Sequence, residues 1–148
     1  MVAHTIAADL GTPEGIRTLM DAAGDADILV NNAGAIPGGW LRDVDDSRLR
    51  QSWELKLFGY INLVRAMLER MEARGSGVIA NIIGMAGAAP RPDYIAGSTA
   101  NAALIAFTQA VGAGSTSHGV RVFGINPSPT RSDRMEGLLR GQAEKKLE

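Results

Sequence analysis

The chain has 148 residues, 15 of them basic and 16 acidic, for a net charge of -1. That is enough for one domain with a real core and too little for two, and the charge balance gives no footing for nucleic acid or an anionic membrane. The absence of cysteine excludes disulfides, zinc–thiolate sites and thiol catalysis. No apolar run nears the ~20 residues that span a bilayer, and Met1-Val2-Ala3-His4 lacks the basic and apolar stretches of a signal peptide. The expectation is a soluble, cytoplasmic α/β protein with no metal site.

In chain order, residues 2–8 read as a short strand. Asp9-Leu10 then leads to Thr12-Pro13-Glu14, an N-cap followed by proline at the first helical position. The helix carries Ile16, Leu19 and Met20 on one face and ends near Gly24. Residues 28–31 form a second strand, running into Asn31-Asn32-Ala33-Gly34 and a glycine-rich loop to Gly39. Asp45-Asp46-Ser47 opens a long helix to about Arg74, with Leu49, Trp53, Leu57, Tyr60, Val64, Met67 and Met71 at three- and four-residue steps. Gly75 stops it. Residues 77–83 are a third strand, apolar except for Asn81, as expected when both faces of a sheet are covered. A second long helix runs from Tyr94 to His118-Gly119, and residues 120–126 are a fourth strand. The small side chains of Ala96, Gly97, Ser98, Ala100, Ala103 and Ala106 suit either close helix approach or plain burial. Residues 135–148 read as a polar tail that frays. Strands alternating with helices of this length imply parallel βαβ units with right-handed crossovers.

The motifs resemble those of the short-chain dehydrogenase/reductase superfamily across nearly the whole chain. Its N-N-A-G corresponds to Asn31 to Gly34, and its N-x-x-S-x-x-G to Asn81-Ile82-Ile83-Gly84-Met85-Ala86-Gly87. Its Y-x-x-x-K corresponds to Tyr94 to Ser98, and its N-P-G-P-x-x-T to Asn126-Pro127-Ser128-Pro129-Thr130-Arg131-Ser132. Asp9 stands where an aspartate usually follows the third family strand. Five motifs in the right order are specific where one is not. The resemblance implies a single partial Rossmann-like domain over residues 1–148, a parallel sheet flanked by helices and limited to family strands three to six.

By the same resemblance, the reaction is hydride transfer between NAD or NADP and a small carbonyl or alcohol substrate. Tyr94 falls on the general acid/base. The family's serine, lysine and relay asparagine are replaced by Gly84, Ser98 and Lys56. A phenol with a pKa near ~10 is a poor base unless a cation assists it. Lys56 either supplies that cation from the neighbouring helix or snorkels from a helix flank. Substrate orientation falls to Asn81 or Ser98, so the catalytic candidates are Tyr94, Lys56 and Ser98. The cofactor-binding candidates are Asp9, Leu10, Asn32, Ala33, Gly34, Pro127, Ser128 and Thr130.

The glycine-rich turn that binds pyrophosphate in this family has no counterpart here, so cofactor binding is expected to be weak or lost. Strand 2–8 is then expected to pair beside residues 28–31 or to exchange with another chain. The two long helices suggest a homo-oligomer. The alternative to an impaired oxidoreductase is a non-catalytic binding or oligomerisation module. A hydrolase triad is disfavoured, since only His4 and His118 are present and there is no G-x-S-x-G elbow.

Overall fold

The computed structural model describes residues 2–23, 25–128 and 130, with isolated positions at 136, 137, 140 and 143. Among the described residues, three parallel strands form the sheet: β1 (Ile28–Asn31), β2 (Gly77–Ile82) and β3 (Val120–Ile125), in spatial order β1-β2-β3. The helices are α1 (Pro13–Ala23), α2 (Asp46–Trp53), α3 (Gly59–Arg74) and α4 (Ile95–Ser115). Each helix start has a local cause. The Thr12 hydroxyl accepts the Gly15 N–H at 3.1 Å and so caps α1. Asp45 caps α2 by accepting the Arg48 N–H at 2.8 Å. α2 and α3 are one continuous rod, joined by a π-helical turn over Glu54–Phe58.

The core lies on one face of the sheet. Ile16 and Met20 of α1 and Leu63, Val64, Met67 and Met71 of α3 pack on Ile79 and Val120, flanked by Phe107 and Val111 of α4. Each such fully buried side chain contributes about 1.5–3 kcal/mol relative to exposure. The register pairs Val30 with Ala80 and Ala80 with Phe123, so these residues share the opposite face. That face is open: Ile28 and Val30 are 60% and 57% exposed, and Phe123 and Ile125 are exposed beside them. The apolar run of β2 therefore does not mark a sheet covered on both sides among the described residues. Its apolar character comes from central placement between β1 and β3.

Residues 2–8 form no strand. They are almost wholly exposed, and neither pairing with β1 nor any other ladder holds them. What remains of the expectation is the turn that follows. Asp9 Oδ1 accepts the Gly11 N–H at 2.9 Å, and its carbonyl accepts the Thr12 hydroxyl at 2.9 Å. The expected helix end at Gly24, the motif positions Pro129, Arg131 and Ser132, and most of the 135–148 tail lie outside the described residues.

Candidate active site

The loops leaving the carboxyl ends of β1, β2 and β3 converge on one cavity of about 190 Å³. In open parallel α/β sheets this is the end at which ligands bind. Asn32, Gly34 and Ile36 come from the loop after β1, Ile82 and Ile83 from the end of β2, and Pro127 from the segment after β3. Lys56, Tyr94 and Asn101 complete the wall. A hydrogen bond from the Met85 N–H to the Pro127 carbonyl, at 3.3 Å, ties the second and third loops together.

Lys56 reaches the cavity because the π-turn adds a residue to one helical turn and rotates it inward. Only 8% exposed, it donates to Tyr60 Oη at 2.9 Å and to the Ile82 carbonyl at 2.7 Å, with its ammonium 4.4 Å from the Tyr60 ring centroid. Tyr60 donates to the same carbonyl at 3.0 Å. Burial pushes the Tyr60 hydroxyl well above the ordinary phenol range, so it remains a protonated donor while accepting from the ammonium. Gly34 makes room for the lysine stem, since a Cβ there would lie 2.9 Å from Lys56 Cδ. The buried charge is thus compensated by two oxygens and an aromatic face.

Tyr94 is set at the start of α4 by a clamp on the β1 loop. The Gly39 N–H donates to the Asp93 carbonyl at 2.9 Å, and the Ile95 N–H donates to the Gly39 carbonyl at 3.2 Å. Arg91 pairs with Asp93 at 2.7 Å, and that guanidinium holds the Asp93 carboxyl below its ordinary value. The tyrosine ring lies over Gly97, one helical turn on, where a side-chain carbon would coincide with the ring. Around it pack Ile36, Ala96 and Ala100.

Ser98 is not part of this group. Its buried hydroxyl accepts the Arg91 N–H at 2.9 Å and donates to the Arg91 carbonyl at 3.3 Å, which secures the loop that precedes Tyr94. Asn81 is likewise committed elsewhere. It accepts from Asn31 Nδ2 and donates to Thr108 Oγ1, both at 2.9 Å, inside a buried network that pins β1 and α4 to β2. Neither residue lines the cavity.

Among the cofactor-binding candidates, Asn32, Gly34 and Pro127 line this cavity. Leu10, Asn32 and Ala33 line a second, adjoining one of about 380 Å³ with Leu19, Leu29 and Leu55. Asn32 belongs to both, so the two form neighbouring parts of one cleft. Asp9 is spent on its own turn, and the exposed Ser128 and Thr130 face each other, the threonine hydroxyl donating to the Ser128 carbonyl at 3.1 Å.

Asn101 went unnoticed in the sequence. It stands seven residues after Tyr94 on the sheet-facing stripe of α4, a carboxamide among alanines. That isolation on a buried stripe is the signal that could have found it.

A parallel sheet whose carboxyl-end loops gather a phenol, an ammonium and carboxamides around a cleft defines a Rossmann-like α/β protein. The family model described as short chain dehydrogenase matches residues 1–143, and the chain belongs to that family. It is 31% identical over 95% of its length to an uncharacterized oxidoreductase, YvrD, of Bacillus subtilis, covering 55% of that protein. It is 34% identical over 84% of its length to a glucose and ribitol dehydrogenase of Daucus carota, covering 44% of it. Among solved structures, a short chain dehydrogenase/reductase family protein superposes with a TM-score of 0.86 at 35% identity, covering 91% of this chain and 57% of that one. An NAD+-bound xylitol dehydrogenase shares the fold at 0.83 and 23% identity, covering 93% of this chain and 55% of that one. The chain spans about half the length of the curated relatives it matches.

Proposed function

We propose that the chain carries the substrate end of an oxidoreductase that transfers hydride between NAD(P) and a carbonyl or alcohol. The observation that supports this is the placement of Tyr94 and Lys56 on the walls of one cavity at the carboxyl end of the sheet. The cleft suits the nicotinamide and ribose portion of the cofactor: Asn32 and Gly34 form one wall, Pro127 another, and Asn126 beside it keeps a buried Oδ1 without a partner among the described residues. When bound, the nicotinamide supplies or accepts the hydride.

The chain's own residues handle the proton. In reduction the Tyr94 hydroxyl gives its proton to the substrate oxygen, and in oxidation it receives one from the alcohol. The Lys56 ammonium, anchored on Tyr60 and Ile82, favours negative charge on oxygen in the cavity. The apolar Ile36 and Ile83 restrict water there. A cytoplasmic setting and assembly through the long helices belong to the same reading.

A second reading, a non-catalytic binding or oligomerisation module, is favoured by the open apolar sheet face at Ile28, Val30, Phe123 and Ile125. Titration with NADH and NADPH, followed by nicotinamide fluorescence and then by addition of carbonyl substrates, separates the two. Saturable binding with cofactor oxidation is expected. No binding at millimolar cofactor, with a stable folded chain, refutes the oxidoreductase.

A further inference from the structure

The turn after β2 is committed to bare backbone. Gly84 sits at φ 128° and ψ 148°, a conformation that side chains of L residues rarely allow. No polar side chain can therefore reach the cavity from position 84. The group next to that space is the carboxamide of Asn101: a Cβ built at 84 would lie 3.1 Å from its Nδ2. Asn101 lines the cavity while its Oδ1 is buried away from it, so the polar end it offers is Nδ2, a donor. A structural carboxamide is tied at its oxygen, as Asn81 is to Asn31; the Asn101 Oδ1 has no such partner among the described residues.

The helix brings the phenol toward this donor. Residues 94, 97 and 101 follow at steps of three and four and so share one stripe of α4. Tyr94 precedes the helix at φ -142° and ψ 45°, and its ring turns forward over the first turn, with Cε1 and Cζ on the position a Gly97 Cβ would take. On a helix surface the Cβ positions of 97 and 101 are about 5–6 Å apart. The Tyr94 hydroxyl lies one bond beyond Cζ, and Nδ2 lies two bonds beyond the Asn101 Cβ. An oxygen that accepts from two donors holds them about 5 Å apart, which is the scale of this gap. Both residues open onto the same cavity.

We propose that Asn101 Nδ2 is the second donor to the reacting oxygen, forming with the Tyr94 hydroxyl a two-donor seat for a carbonyl or alkoxide. The amide gives up no proton. It stabilises the charge that gathers on the oxygen, while the phenol handles the proton itself. Gly84 and Gly97 serve the seat by staying bare, one beside the amide and one beneath the ring. The inference rests on the oxidoreductase reading for the reaction; the seat itself is read from binding, without turnover.

The test uses cyclohexanone carrying ¹³C at its carbonyl, bound to the chain and followed by difference infrared spectroscopy. Each donor on a carbonyl oxygen lowers its stretching frequency. The bound ketone is expected to absorb at lower frequency in the wild type than in Asn101→Leu, which is close in shape and has no donor. In the ¹⁵N-labelled wild type the side-chain amide signals of Asn101 should move as ketone is added, a reading that stands even if the variant fails to fold. With a carbonyl substrate that is turned over, Asn101→Leu should lower kcat about 10²-fold, the loss typical of one such donor, with cofactor affinity unchanged. The same carbonyl frequency in both chains, unmoved Asn101 amide signals, or no binding of the ketone at the cavity overturns the proposal. An Asn101-dependent frequency without cofactor oxidation would sink the oxidoreductase and leave the seat; cofactor oxidation with an Asn101-independent frequency would do the reverse.

Discussion

Gly97→Ala probes the feature on which the site depends, the tyrosine ring lying over the next turn of its own helix. Helix propensity alone says that alanine in place of a helical glycine stabilises by about 1 kcal/mol. The structure says the opposite, because the new methyl would occupy the volume of the Tyr94 ring. Relieving the overlap requires the ring to swing away from Ile36, Ala96 and Ala100, and overpacking of this kind costs about 1–3 kcal/mol. The expected net result is a loss of about 1 kcal/mol. A double-mutant cycle sharpens it: in a Tyr94→Ala background the obstacle is gone, and the same glycine-to-alanine change should stabilise by about 1 kcal/mol. The coupling between the two positions is then about 2 kcal/mol. Urea unfolding followed by the fluorescence of Trp40 and Trp53 measures all four corners. Stabilisation of the wild-type background by Gly97→Ala, with coupling below about 0.5 kcal/mol, would show that the phenol does not lie where the cavity needs it.

Three further outcomes follow from the same geometry. Lys56→Met keeps most of the stem volume and removes the cation, so stability should change by less than about 1 kcal/mol while turnover falls about 10²-fold or more; unchanged turnover in a steady-state assay refutes its role. Asn81→Ala strips Asn31 and Thr108 of their buried partners at once and should cost about 2–4 kcal/mol in urea unfolding. Burial raises the Tyr60 pKa, so the folded chain keeps a proton that the unfolded phenol loses near ~10. Unfolding free energy should therefore decline as pH rises past that value, and the decline should be shallower in Tyr60→Phe; parallel pH profiles count against it.

Much of the fold was legible in local chemistry. The Thr12 and Asp45 caps, the left-handed Gly75 that ends α3, and the strand at residues 28–31 all follow from short-range preferences acting within a few residues. The parallel arrangement followed too, from helices of ten or more residues between strands. Residues 2–8 misled because a short, mostly apolar run states only a capacity to pair. A strand needs a ladder partner, and no described strand offers one there.

The site divides along the same line. The sequence alone placed Tyr94 and Lys56 as candidates through motif positions, and the order of its motifs carried the resemblance to the family. Only tertiary structure could decide that a π-turn would aim Lys56 at Tyr60 and Ile82, that Ser98 and Asn81 would bond to loop and sheet, and that the Asn101 Oδ1 would be buried with no partner among the described residues. Hydrogen-bond satisfaction depends on which groups meet across long stretches of chain, here as far apart as Asn31 and Asn81. Residue order fixes what each side chain can donate or accept; the folded packing fixes which of those capacities are left over for a ligand.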